Sequence, residues 1–135
     1  MKKVLLPIDG SARSLRTIEM AKQLYAPGDV ELTILIVLAG QMHIDGHFEV
    51  ERLQRKAYQE LDTFAQLLQG YEVKTVLLRG SAGPEIVHYA ESHHFDVLMM
   101  TRSSRGPLQK LGSVATYIVR NAPFLNLLIM HETKE

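Results

Sequence analysis

Neither cysteine nor tryptophan occurs among the 135 residues. Without thiols the chain has no disulfide framework, no thiolate nucleophile and no cysteine-based metal cluster, which is compatible with a reducing compartment. Neither sign of charge is in excess, since Lys plus Arg and Asp plus Glu number 15 each. No overall field therefore draws the chain to nucleic acid or to an anionic membrane, and any electrostatic steering is local. Long apolar runs are missing too. Val4 to Ile8, after Met1-Lys2-Lys3, is interrupted by Asp9, too short a run for a signal peptide, and no other stretch approaches a membrane span. The expectation is a soluble, unprocessed, cytoplasmic protein with no nucleic-acid or membrane partner.

Enzymatic signatures are also lacking. The chain contains no GxxxxGK[ST] phosphate loop, no GxGxxG, no GxSxG nucleophile elbow and no HExxH metal helix. A receiver domain of similar length would need a phosphorylatable aspartate ending its third strand, but that strand closes Leu77-Leu78-Arg79-Gly80. No side chain stands out as a hydrolytic base, so at most a slow hydrolysis is expected of the chain as an enzyme.

What is present is a 46% hydrophobic composition, enough for one core, and the whole of residues 1–135 reads as one domain without repeat or linker. Apolar runs predict five strands at Lys3 to Ile8, Val30 to Leu38, Glu72 to Leu78, Asp96 to Met100 and Phe124 to Met130. Helical spacing predicts four helices between them, marked by Leu15, Ile18, Ala21 and Tyr25, by Leu53, Ala57, Leu61, Phe64, Ala65 and Leu68, by Ile86 and Ala90, and by Val114, Ile118 and Ala122. Strict alternation of strand and helix predicts an α/β fold, a doubly wound parallel sheet covered on both faces. Pro27-Gly28, Gly70, Gly83-Pro84 and Asn121-Ala122-Pro123 punctuate the helices, with proline expected at a first helical position. Ala39 to Glu49 reads as one irregular connection.

The most informative stretch runs from Thr101 to Val114, where a loop leaves an apolar strand and leads into a helix start whose N–H groups can receive an anion. Arg102, Arg105 and Lys110 lie there without one acidic residue, beside the hydroxyls of Ser103 and Ser104. The same pattern also fits a solvated polar loop. Asp9, just before a helix, fits helix capping as well as it fits ligand binding. Gly112-Ser113 fits an ordinary tight, capped helix start as well as phosphate contact. His43, Asp45 and His47 have alternating spacing but lack further ligands, so a surface loop is the simpler reading. His93-His94 fit a helix C-terminus, where the dipole favours them.

Val4-Leu5-Leu6-Pro7-Ile8-Asp9-Gly10-Ser11 resembles the opening strand and turn of the universal stress protein family. Ile34 to Val37, Gly80 to Glu91, Asp96 to Met100 and, most strongly, Gly112-Ser113-Val114 followed by Arg120-Asn121-Ala122-Pro123 resemble its later elements. The resemblance covers almost the whole chain. It implies a five-stranded sheet of order 3-2-1-4-5 with four helices, the adenine-nucleotide α-hydrolase-like (HUP-type) fold.

It further implies a site at Pro7, Asp9, Val37, Thr101, Arg102, Ser103, Ser104, Arg105, Gly106, Gly112, Ser113 and Val114. Asp9 would take ribose hydroxyls, Val37 the base, and the Gly112 to Val114 turn phosphate. The ligand implied is ATP or another adenine nucleotide, with Mg2+ as a possible companion. Nucleotide-binding members carry Gly, two residues, Gly, nine residues, then Gly-Ser or Gly-Thr. Here Met100 and Ser103, or in the other alignment Thr101 and Ser104, stand in the glycine places, and only Gly106 remains within the loop.

Three readings follow: a homodimer pairing through Phe124 to Met130 that senses an adenine nucleotide in a stress response, an interaction module of the same family without nucleotide, and an enzyme of a related adenine-nucleotide fold.

Overall fold

The structure, a computed structural model, describes residues 1–39, 47–102 and 112–132. Strand and helix alternate as β1 (Lys2–Ile8), α1 (Ala12–Leu24), β2 (Val30–Ala39), α2 (His47–Gln66), β3 (Glu72–Gly80), α3 (Ala82–Ser92), β4 (Val97–Thr101), α4 (Ser113–Asn121) and β5 (Asn126–Met130). The strands form one five-stranded sheet in the order β3-β2-β1-β4-β5, and each neighbouring pair is parallel. This is the doubly wound order that the resemblance implies.

The sheet is buried on both faces, which is why its central strands read as unbroken apolar runs. Along β1, Val4, Leu6 and Ile8 pack with Ile18, Ala21, Ala57 and Leu61 of α1 and α2. Leu5 points the other way, toward Ile86, Val87, Ala90 and Ile118 of α3 and α4. The two-residue alternation of a strand thus assigns successive side chains to separate cores. Among the described residues no helix is long and apolar enough to cross a membrane.

Several boundaries differ from the sequence expectation. α2 already begins at His47, inside the stretch that reads as irregular. Ala82 opens α3, so Pro84 is its third residue rather than its first, still within the turn whose N–H groups have no intrahelical partner. β5 starts at Asn126, and Phe124 lies exposed before it. On α1 the buried residues are Ser14, Thr17, Ile18 and Ala21, while Leu15 faces solvent.

The β1–β4 ladder creates the functional geometry. Their register runs only through Val4–Val97 and Leu5–Leu98, although β1 continues to Ile8 and β4 to Thr101. At the opposite end the two strands are fastened further: the Asp96 N–H donates to the Lys3 carbonyl at 2.9 Å, and the Lys3 N–H donates to the Asp96 carboxylate at 2.8 Å. The pair is therefore closed at its N-terminal end and splayed at its C-terminal end. Pro7 stands where β1 has no β4 partner, so its missing N–H takes nothing from that ladder.

Candidate functional site

The splayed strands open a cleft of about 280 Å³, near the lower end of the range of small-ligand sites, about 300–1,000 Å³. It lies where α1 and α4, following β1 and β4, leave toward opposite faces of the sheet, the usual binding position of doubly wound folds. Pro7, Leu35, Val37, Ala82 and Ile86 provide an apolar wall, and Asp9, Arg13, Ser14, Thr17, Thr101, Arg102 and Ser113 provide polar groups. Pro7, Asp9, Val37, Thr101, Arg102, Gly112, Ser113 and Val114 from the sequence-derived set all line this one cleft. The remaining members, Ser103, Ser104, Arg105 and Gly106, lie outside the described residues, as do Lys110, His43 and Asp45.

Asp9 is held by its own turn. Its Oδ1 accepts from the Ser11 N–H at 2.9 Å, the Ser11 hydroxyl at 2.6 Å and the Ser14 hydroxyl at 3.2 Å. Arg13 reaches Oδ2 at 3.2 Å. Partial desolvation would raise the Asp9 carboxyl, but the Ser11 hydroxyl and N–H, the Arg13 guanidinium and the Ser14 hydroxyl together hold it below the ordinary carboxylate range. The Ser14 oxygen in turn accepts the N–H groups of Asp9 and Gly10 at 3.0 and 3.1 Å. Gly10 has φ +82°, and a Cβ there would meet the Glu60 carboxylate at 2.7 Å, so this turn requires glycine. Asp9 thus braces the start of α1, but Ser11 and not Asp9 is the N-cap residue. Most of the acceptor capacity of Oδ1 is used, and Oδ2 is the oxygen with room for an incoming hydroxyl.

Two guanidiniums flank the cleft. Arg13, which the motif reading passes over, bridges Asp9 and Glu132, the latter at 4.0 Å. Arg102 Nη2 lies 3.1 Å from His131 Nε2, the guanidinium being the donor of the pair. The Arg102 N–H donates to the Met130 carbonyl at 3.0 Å. Residues just beyond β5 therefore touch both cations. The Arg13–Glu132 pair joins opposite ends of the sequence, and no local sequence motif announces it.

The N-terminus of α4 forms the far side. Gly112 is its N-cap, no side chain among the described residues caps it, and its first turn has no acidic residue. Ser113 is the first helical residue and not the cap. Gly112 has φ −69°, and among the described residues a Cβ there would meet nothing within 4 Å. Neither its backbone conformation nor its packing among the described residues demands glycine at this position. On the cleft floor, Thr101 meets Thr17 through buried hydroxyls 2.9 Å apart, and Thr17 also donates to the Arg13 carbonyl at 3.3 Å. Thr101 thus packs against Thr17, and Met100 against the α3–α4 core.

Away from the cleft, His93 ends α3 and stacks on Tyr89 with ring centroids 4.0 Å apart. Among the described residues there is no group of three or more His, Cys, Asp or Glu side chains able to hold a metal. The cleft instead combines an apolar slot, a fixed carboxylate, two guanidiniums and an open helix start, a set suited to a flat apolar ring, vicinal hydroxyls and an anion.

Comparison with known proteins agrees with this architecture. A curated relative, universal stress protein MJ0531 of Methanocaldococcus jannaschii, is 27% identical over 144 residues, covering 99% of this chain and 85% of the relative. A universal stress protein crystallised in complex with cAMP shares the fold with a TM-score of 0.76 at 21% identity, over 98% of each chain. An Arabidopsis thaliana universal stress protein family protein with AMP bound gives a TM-score of 0.74 at 17% identity, over 98% of this chain and 93% of that one. The model of the universal stress protein family matches residues 1–129, and the chain belongs to that family.

Proposed function

We propose that this protein binds an adenine nucleotide, ATP or a relative, in the β1–β4 cleft and acts in a stress response as a nucleotide sensor. One observation carries the reading: an apolar slot, a carboxylate with one available oxygen, two guanidiniums and a helix start whose first turn has no acidic residue converge where the strands part. In this reading the base lies against Val37 and its apolar neighbours, Asp9 Oδ2 takes a ribose hydroxyl, and Arg102 with the Ser113 and Val114 N–H groups takes phosphate. Related proteins of the same fold hold AMP and cAMP, which supports this choice of ligand. Mg2+ would accompany a polyphosphate through its oxygens and water rather than through a protein cage. The nucleotide would stabilise one loop arrangement and so alter a surface that a partner reads. Self-association through the β5 edge, in the cytoplasm, completes the proposal.

The test is calorimetric titration of purified protein with ATP, AMP, cAMP and FMN, with and without Mg2+, together with native mass spectrometry for retained nucleotide. Saturable heat from the adenine nucleotides is expected, with no response to FMN. Absence of any adenine-nucleotide response at millimolar concentration would instead establish the second reading, an interaction module. The observation favouring that module is that Met100, or in the other alignment Thr101, stands where nucleotide-binding members carry glycine, so that a side chain and not bare backbone lines the cleft there.

A further inference from the structure

The role of Arg13 goes beyond the nucleotide reading and rests on it. We propose that Arg13 sets the preference of this cleft for phosphorylated over unphosphorylated adenine nucleosides, and that Glu132 competes with the phosphate for it. The Arg13 side chain is only 26% exposed and lines the cleft from the first turn of α1. That turn contains no acidic residue, so the guanidinium sits at the positive end of a helix dipole, an unfavourable place for a cation unless an anion joins it. α4, whose N-terminus faces the same cleft, also lacks an acidic first turn.

The anions that Arg13 meets among the described residues hold it loosely. Asp9 takes one Nη2 contact at 3.2 Å through Oδ2 alone, while its Oδ1 serves Ser11 and Ser14. Glu132 Oε2 lies 4.0 Å from Nη1, beyond hydrogen-bond length. A guanidinium offers five donors in a planar fork that matches phosphate oxygens in pairs. A phosphate entering the cleft therefore offers Arg13 a shorter, two-pronged contact than Glu132 does, and displaces it. A ribose hydroxyl joining Asp9 at Oδ2 strengthens the same exchange, because it draws on the oxygen that restrains Arg13. An unphosphorylated nucleoside gains only the sugar and base contacts.

The experiment measures binding of adenosine, AMP and inorganic pyrophosphate to the full chain and to Arg13→Met, Glu132→Gln and the double variant. Methionine keeps the apolar stem, so folding survives, and urea denaturation checks it. Arg13→Met is expected to weaken AMP by about 10- to 100-fold, the loss of a charge-assisted contact, with adenosine changed by less than about 2-fold. Glu132→Gln is expected to tighten AMP by about 2- to 5-fold, and to do nothing once Arg13 is gone. Equal loss of adenosine and AMP in Arg13→Met would mean that Arg13 merely positions Asp9, and would overturn the proposal. Unchanged AMP affinity would overturn it too, while leaving nucleotide binding in place. Arg13-dependent pyrophosphate binding without AMP binding would uphold the anion site and remove the nucleotide reading. Binding of none of the three would remove both.

Discussion

The buried hydroxyl pair on the cleft floor allows a directional test. Thr17 is 1% exposed and Thr101 7%, and each hydroxyl has one proton. Because Thr17 donates to the Arg13 carbonyl, the proton between the two oxygens belongs to Thr101, which donates to Thr17. The two valine substitutions, close in size to threonine, are then unequal. Thr101→Val removes a donor from Thr17 but leaves Thr17 its own bond, so the cost is that of one net hydrogen bond, about 0.5–1.5 kcal/mol. Thr17→Val strands the buried Thr101 proton with no acceptor and costs about 1–3 kcal/mol. The double variant replaces both partners by apolar groups and should cost less than the two single variants together, leaving a coupling of about 0.5 kcal/mol or more. Urea denaturation with a shared m-value gives all three numbers. If Thr101→Val proves the costlier single change, or if the effects simply add, this donor order is wrong.

Other consequences are as direct. Gly112→Ala should alter stability by no more than about 1 kcal/mol, because alanine is only a poorer N-cap residue than glycine, yet should weaken nucleotide binding in calorimetry; an unaffected ligand would place phosphate elsewhere. The lowered Asp9 carboxyl favours its charged form in the folded chain, so its contribution to stability is complete above the unfolded value of about 3.9 and is lost as pH falls through the lower folded value. Stability of the native chain and of Asp9→Asn should therefore differ at neutral pH and converge toward about pH 2, as followed by urea titration; a difference that grows on acidification contradicts this sign. For self-association, Ile129→Lys is the informative change, because Ile129 belongs to neither core group whereas Leu128 packs on the α1–α2 core. Light scattering should report a smaller mass than for the native chain; an unaltered oligomer rules out β5 as the seam.

Strand and helix alternation, and the family pattern around Asp9 and Gly112, made the fold and much of the cleft legible in the sequence, because burial on both faces writes long apolar strands and helix starts carry local signals. What stayed hidden has a physical reason in each case. Apolar periodicity selects Leu15 for the core, but Ser14 and Thr17 take the buried positions because their hydroxyls have partners in the turn and in β4. Arg13 looks like one surface cation among several until Glu132, from beyond the last strand, comes within reach. His131 carries no motif, and only the parallel pairing of β4 with β5 brings it to Arg102. Long-range charge contacts leave no periodic trace, whereas amphipathic faces do.

The short ladder between β1 and β4 has a mechanical implication. Above Leu5 and Leu98 the sheet is two leaves, one of β3, β2 and β1 and the other of β4 and β5, joined on one face by α1, whose Thr17 hydroxyl meets that of Thr101 in β4. A guest seated between the leaves acts as a wedge and a clasp together, since its contacts on either side fix the angle of the seam. Load applied to β5 is then transmitted to the mouth of the cleft by rigid strands, with no dedicated signalling element required.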